Sequence, residues 1–318
     1  MQAKTECVPC SLKQVENIVR RVAADEEVAA RLRRLAEERL AELGLGPSPA
    51  ELATELFHLA AGYLGVPDPF GPEKERYNRE ALVLYPRLRG LIERSRDRLQ
   101  TALLLAVAGN LLDLGIMDAM AVEEALAGVL SRGLARDEGA DLRRDLARAG
   151  TLLYVADNAG EIAFDRLLVE EIRRERPGIR VRLAVKSGPA SSDATRADAE
   201  AVGFPEVAEI IETGGASLGV PRAWTSPSFW EAFHGADLVI AKGHANFETT
   251  DEEGHPNLYF LLTAKCPIVA GALGVGVGDS VLAKRKPVPD ENGTTKDDNT
   301  GSSPARSPSD ERPATSCA

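Results

Sequence analysis

From Thr151 onward the chain alternates short apolar runs with helical segments. "TLLYVA", "VRLAVK", "VAEII" and "DLVIAK" are separated by "IAFDRLLVEEIRRE", "SDATRADAEAVG" and "SPSFWEAFH", and the apolar runs "CPIVAGAL" and "SVLA" follow. Runs this short fit buried strands, and the helices between them fit the crossovers that parallel strands require. The pattern predicts a largely parallel sheet covered by helices on both faces, an α/β fold.

Before Thr151 the period is different. In "LKQVENIVRRVAADEEVAARLRRLAEERLAEL" apolar residues recur at steps of three and four with charges between them, the mark of amphipathic helices. Ser48-Pro49 offers a cap and a first-turn proline for the next helix. A further helical block runs from Glu73 to Leu112 with a break or kink expected at Pro86. Asp118 can cap another helix, and 141–148 is a shorter amphipathic piece. Past Lys284 the chain is rich in Pro, Ser, Asp and Thr and nearly devoid of aliphatic residues, so disorder is expected there. The expected organisation is a helical domain over 1–150, an α/β domain over 151–284 and a disordered tail over 285–318, which holds Cys317.

A net charge of -11 argues against a nonspecific nucleic-acid binder. The N-terminal "MQAKTECVPCSLKQ" lacks the apolar core of a signal peptide, and "TALLLAVAGNLLDLGIM" is too short to span a bilayer. No secreted disulfide framework is evident, so a cytoplasmic, non-membrane protein is expected. Oligomeric state is not readable from the sequence.

In open α/β sheets ligands bind beyond the carboxyl ends of the strands. Three of those ends are polar: Asp157-Asn158 with Gly160 and Glu161; Lys186 with Asp193 at an expected helix cap; and Lys242, Gly243, His244, Asn246 and Glu248. Each has a plain reading. Asp193 can cap a helix, Asp157-Asn158 can form a tight turn, and Lys242 can be a solvated charge. Together they suggest a site. Two carboxylates and an amide oxygen are hard donors suited to Mg²⁺ or Mn²⁺, and a lysine with glycine-exposed amides suits phosphate. The dinucleotide fingerprint and the P-loop are both missing.

"DNAGEIAFD", "KSGPASSDATRADA", "DLVIAKGHANFET" and "YFLLTAKCPIVAGALGV" resemble, in the same order, the metal-dependent damage-control phosphatases. That family is also catalogued as domain of unknown function eighty-nine and as acidic-residue methyltransferase-like. "AVAGNLLDLG" and the pair in "ECVPC" look like its prokaryotic subgroup, and the resemblance runs from Cys7 to Leu282. It implies a three-layer α/β/α sandwich with a helical N-terminal part, and hydrolysis of small phosphate esters such as sugar phosphates or damaged phosphometabolites. Carried over by position, Asp157, Asn158 and Asp193 would ligate a divalent metal. Lys242 would contact phosphate, and Asp157 or a water would attack. Asn246, Glu248 and Glu161 would lie close to the substrate; Asn110 and Asp113 fall in matching motifs without an assigned role. The family commonly has Gln where this chain has His244. A histidine there could touch phosphate or add a nitrogen ligand, which would favour Mn²⁺, Co²⁺ or Ni²⁺.

"CVPC" admits an accessory metal site, a redox switch or plain packing at a helix start. Two other functions also fit. One is S-adenosylmethionine-dependent carboxyl methylation, although the first strand lacks the usual glycine-rich turn. The other is a non-catalytic metal or redox module centred on "CVPC". A phosphate ester entering so acidic a protein is no obstacle. Distant charges are screened beyond about 8 Å, whereas one unit-charge pair at about 4 Å is worth about 4 kcal/mol at an effective dielectric near 20.

Overall fold

The structure, a computed structural model, describes residues 1–22, 25–109 and 127–286. Asn110, Asp113, Asp118 and the 287–318 part of the expected tail lie outside the described residues.

Seven strands form one sheet in the order β1-β7-β6-β5-β2-β3-β4. β2 (Thr151–Val155), β3 (Arg180–Val185), β4 (Glu209–Glu212), β5 (Leu238–Lys242) and β6 (Leu258–Thr263) pair in parallel. β7 (Ser280–Lys284) runs antiparallel to β6 and pairs in parallel with β1 (Arg136–Asp137). The chain moves outward from β2 through β3 to β4, then returns to the other side of β2 with β5. The order therefore reverses between β2 and β5, the place where such sheets hold ligands.

Period-two alternation puts the strands to use on both faces. Leu152, Tyr154, Leu183, Leu238, Ile240, Tyr259 and Leu261 join one core, while Leu153, Val155, Ala184, Val239, Ala241 and Phe260 join another. The first core is closed by α4 (Gly71–Arg94), α5 (Arg98–Ala108), α6 (Gly139–Leu146), α7 (Glu161–Glu175) and α8 (Arg196–Ala201). The second is closed by α9 (Pro227–His234), α10 (Gly243–Thr250) and α11 (Pro267–Leu273). This is the three-layer α/β/α sandwich. A third core joins α1 (Cys7–Val22), α2 (Glu26–Leu43) and α3 (Pro49–Leu64). Ser48 caps α3 in a full capping box with Glu51, as its sequence predicts.

Met1–Arg285 is one compact unit. The change of pattern near 150 separates helix-rich from strand-bearing sequence, yet α4 and α5 pack directly on α7 and β1 extends the sheet from the helical half. Other details depart from the sequence reading. α4 runs through Pro86, and the break falls at Ser95–Asp97, where Asp97 caps α5 through the Gln100 N–H. "CPIVAGAL" is a helix, because Pro267 and the cap supplied by Cys266 start one; the adjoining strand is the fully buried "LYFLLT". Among the described residues no helix is long and apolar enough to cross a membrane.

Candidate active site

The ends of β2, β3 and β5 meet at the reversal point. The segment after β3 folds back on the segment after β2: Asn158 bridges Asp193, and the Ala194 N–H donates to the Asp157 carbonyl at 2.8 Å. Asp157, Asn158 and Asp193 are thus brought together, as the sequence predicts. Asp193 does not cap α8, however; Thr195 does, in a capping box with Asp198, which leaves Asp193 committed to the site. The Asn158 amide donates to Asp157 Oδ2 at 2.7 Å and to Glu161 Oε2 at 3.2 Å, while its Oδ1 accepts from the Ser192 hydroxyl at 2.6 Å. Glu161 opens α7 and therefore belongs to the same cluster.

β5 contributes a glycine where only a glycine fits. Gly243 has φ of 78°, and a Cβ there would stand 2.0 Å from Asp157 Oδ2. The acid of one strand end lies directly against the bare backbone of the other.

Lys242 is placed differently from the phosphate contact expected of it. It is fully buried. Its ammonium donates to the Ala106 carbonyl at 3.0 Å and to Glu161 Oε1 at 2.6 Å, and it pairs with Asp165. An ammonium has three N–H bonds, so none remains for a phosphate. Tyr154 closes this cluster by donating to Asp165 at 2.7 Å. Burial draws an amine toward neutrality, but Asp165 and Glu161 outweigh it and hold Lys242 well above its ordinary range. Burial in turn lifts Asp165 to about 6 despite the lysine. Lys242 is a clamp on Glu161.

The cation beside the acids is Lys186, which the sequence places at a strand end without a role. Its ammonium donates to the Gly219 carbonyl and sits 3.5 Å from Asp193 Oδ2. That is an ion-pair distance, yet no donor meets Asp193 Oδ2 in hydrogen-bonding geometry, which leaves a buried acceptor atom open. Lys265, which the sequence reading passes over, is exposed, and its charge acts on both Asp157 and His244. A lysine immediately after the buried strand "LYFLLTA" is the signal that could have found it.

Asn246 is a brace. Its amide donates to the Ala156 carbonyl at 3.0 Å and to the Lys242 carbonyl at 2.7 Å, tying β2 to β5. His244 Nε2 accepts the Lys265 N–H at 2.7 Å while the Thr263 backbone engages the ring as well, and burial with Lys265 lowers its pKa to about 4. The ring is neutral and its nitrogens are occupied, so it supplies neither a phosphate contact nor a metal ligand as placed. Glu248 keeps other company. Its carboxyl, lifted by burial to about 7, sits with the Ala50 backbone and the amino terminus, where its charge acts on Cys7 and Cys10.

Electrostatically the centre is overloaded with acid. Burial, then Glu161 and then Asp193, push the Asp157 carboxyl well above the usual carboxylate range. Burial lifts Asp193 to about 6 although Lys186 opposes it. Among the described residues no three His, Cys, Asp or Glu groups are arranged to hold an ion unaided. Two carboxylates with the Asn158 amide are the donors at hand, and the open acceptor on Asp193 fits a cation.

An open α/β sheet with buried carboxylates at its reversal point defines a class of small-molecule enzymes, and the comparisons narrow it. Residues 3–281 match the family described as "Damage-control phosphatase ARMT1-like domain". The damage-control phosphatase PH1575 of Pyrococcus horikoshii is 34% identical over 289 residues, covering 90% of this chain and 99% of that one. A damage-control phosphatase of Archaeoglobus fulgidus is 33% identical, covering 88% of this chain and 98% of its own. The crystal structure of the Pyrococcus horikoshii protein, described as a DUF89 family protein, superposes with a TM-score of 0.82 at 33% identity, over 90% of this chain and 100% of that one. The chain belongs to the damage-control phosphatase ARMT1-like family, and phosphatase is the function this membership supports.

Proposed function

We propose that the chain is a divalent-metal-dependent phosphomonoesterase acting on small phosphorylated metabolites of the cytoplasm, sugar phosphates or damaged phosphometabolites among them. The observation that carries this reading is the crowding of buried Asp157, Glu161 and Asp193 at the sheet's reversal point. Carboxylates so placed need a counter-charge, and hard oxygen donors favour Mg²⁺ or Mn²⁺. Asp157, Asn158 and Asp193 would hold the ion, which when bound would offset charge on the phosphoryl oxygens.

The chain's own residues do the rest. Lys242, Asp165 and Tyr154 fix the Glu161 carboxyl, and Glu161 and Ser192 in turn fix the Asn158 amide. Lys186 limits the negative charge at Asp193. Lys265 offers an exposed positive charge next to Asp157, suited to drawing in an anionic ester. Nothing in this arrangement requires His244 as a ligand, so the histidine gives no ground for preferring Co²⁺ or Ni²⁺ to Mn²⁺.

The test is phosphate release by the purified chain from a panel of sugar phosphates with Mg²⁺, Mn²⁺, Co²⁺ or Ni²⁺. Activity should vanish with a chelator, return with Mn²⁺ or Mg²⁺, and be abolished in Asp157→Ala. Turnover that survives both chelation and that substitution would refute the assignment.

A further inference from the structure

The three described cysteines lie at the starts of α1 and α11. Cys7 opens α1 and Cys10 lies one turn further on, while Cys266 caps α11 with its sulfur accepting the Val269 N–H at 3.5 Å. Ile268 of α11 packs on the core that contains Cys7, and Glu248 and Cys266 both act electrostatically on the two α1 thiols. All three are free thiols. Two sequence segments more than two hundred residues apart thus bring sulfur to one corner, outside the acidic centre.

We propose that Cys7 and Cys10 form a reversible dithiol site, in which exposed Cys10 meets a low-molecular-weight disulfide and buried Cys7 closes the intramolecular bond. Helical geometry supplies the spacing: residues three apart on an α-helix have Cα atoms about 5 Å apart, inside the usual disulfide range of about 4.4–6.8 Å. Pro9 between them lies in the first turn, where its missing N–H costs no helical bond. Cys7 is buried and held by the Lys4 N–H at 3.4 Å, whereas Cys10 is exposed, so the two have distinct parts.

The chemistry balances with a small disulfide as oxidant. The Cys10 thiolate attacks one sulfur of the disulfide, forming a mixed disulfide and releasing one small thiolate, which takes up the proton that Cys10 lost. The Cys7 thiolate then attacks the Cys10 sulfur, expelling the second small thiolate, which takes the proton from Cys7. Two electrons pass from the protein dithiol to the oxidant, and two small thiols leave. The groups facing the pair are Glu6 and Lys13 near α1, Glu248 on α10 and Cys266 at α11. Burial above all, with Glu248 and Cys266 adding to it, raises both thiols above their ordinary range. Oxidation should accordingly accelerate about tenfold per pH unit up to and beyond the ordinary thiol range.

The experiment treats the reduced full chain with glutathione disulfide at several pH values and maps disulfides by mass spectrometry under non-reducing conditions. The expected product is a Cys7–Cys10 link with Cys266 and Cys317 still alkylatable. Cys7→Ser should convert that product into a lasting glutathione adduct on Cys10. Cys10→Ser, a change at an exposed position that the fold should accept, should abolish modification at this corner. A Cys10–Cys266 link as main product, a wild-type adduct that never resolves, unchanged thiol content, or tightly bound zinc that protects the thiols would each overturn the proposal. None of these readouts depends on phosphatase activity.

Discussion

Gly243 is the residue at which the site is least forgiving. Its positive φ already disfavours any side chain, and the carboxylate of Asp157 fills the space a methyl group would take. Gly243→Ala should displace Asp157 and cut turnover by about 10²-fold, the scale expected for a misplaced reacting group. Steady-state kinetics on the folded variant would check it, and unchanged kcat would mean that Asp157 does not act from this position. His244 makes a different, pH-dependent contribution. Its pKa falls to about 4 in the fold, so the unfolded chain binds the proton more readily. The stability this contributes is complete above the ordinary histidine range near 6.5 and drains away as pH falls toward 4. Moving from pH 7 to pH 5 should cost the wild type about 2 kcal/mol more than His244→Gln in urea unfolding without metal. Equal losses in the two proteins would remove the neutral, hydrogen-bonded ring from the account.

At the scale of elements, the active-site turn depends on a helix far away in sequence. Asn78 of α4 accepts the Gly160 N–H at 2.7 Å and donates to Asp198 of α8 at 2.8 Å, so one buried amide joins α4, the start of α7 and α8. Asn78→Ala leaves two buried groups without partners and should cost about 2–4 kcal/mol in denaturant unfolding; a loss within about 0.5 kcal/mol would show that this amide is dispensable. Such long-range dependence explains what the sequence conveyed and what it withheld. Strands β2 and β5 are readable because both their faces are buried, whereas β3, exposed at Arg180 and Arg182, shows the alternation of a strand with one face partly open. "LYFLLT" gives no assignable signal because an unbroken apolar run has no period of its own, and "CPIVAGAL" reads as a strand for the same reason. The two-residue β1 carries no pattern at all. Asp157 and Asn158 are legible because they follow β2 directly, and Asp193 because it lies in the polar segment that follows β3. The fate of Lys242 could not be foreseen, because nothing local to "AKGHANFE" reveals that Glu161, Asp165 and Ala106 absorb its charge.

For the whole molecule, the question is where the cooperative unit stops. Among the described residues all three cores draw on none later than Ala283, and Met1–Arg285 is one compact unit. The last described turns are still well tied: Lys284 pairs with Asp145 at 2.6 Å, and the Arg285 N–H donates to the Leu258 carbonyl at 2.8 Å. Beyond Lys286 the sequence holds almost no aliphatic residues that could add to these cores. β7 is the opposite case. It lies between β6 and β1, and without it β1 would lose its ladder and β6 one of its two, while Val281, Leu282 and Ala283 left the two sheet-facing cores. A chain ending at Lys286 should melt within about 2 °C of the full protein, a shift worth less than about 1 kcal/mol for a domain of this size. A chain ending at Val277 should fail to give a cooperative transition. Thermal unfolding followed by circular dichroism separates the two, and a large loss of stability in the Lys286 form would place part of the 285–318 segment within the folded unit.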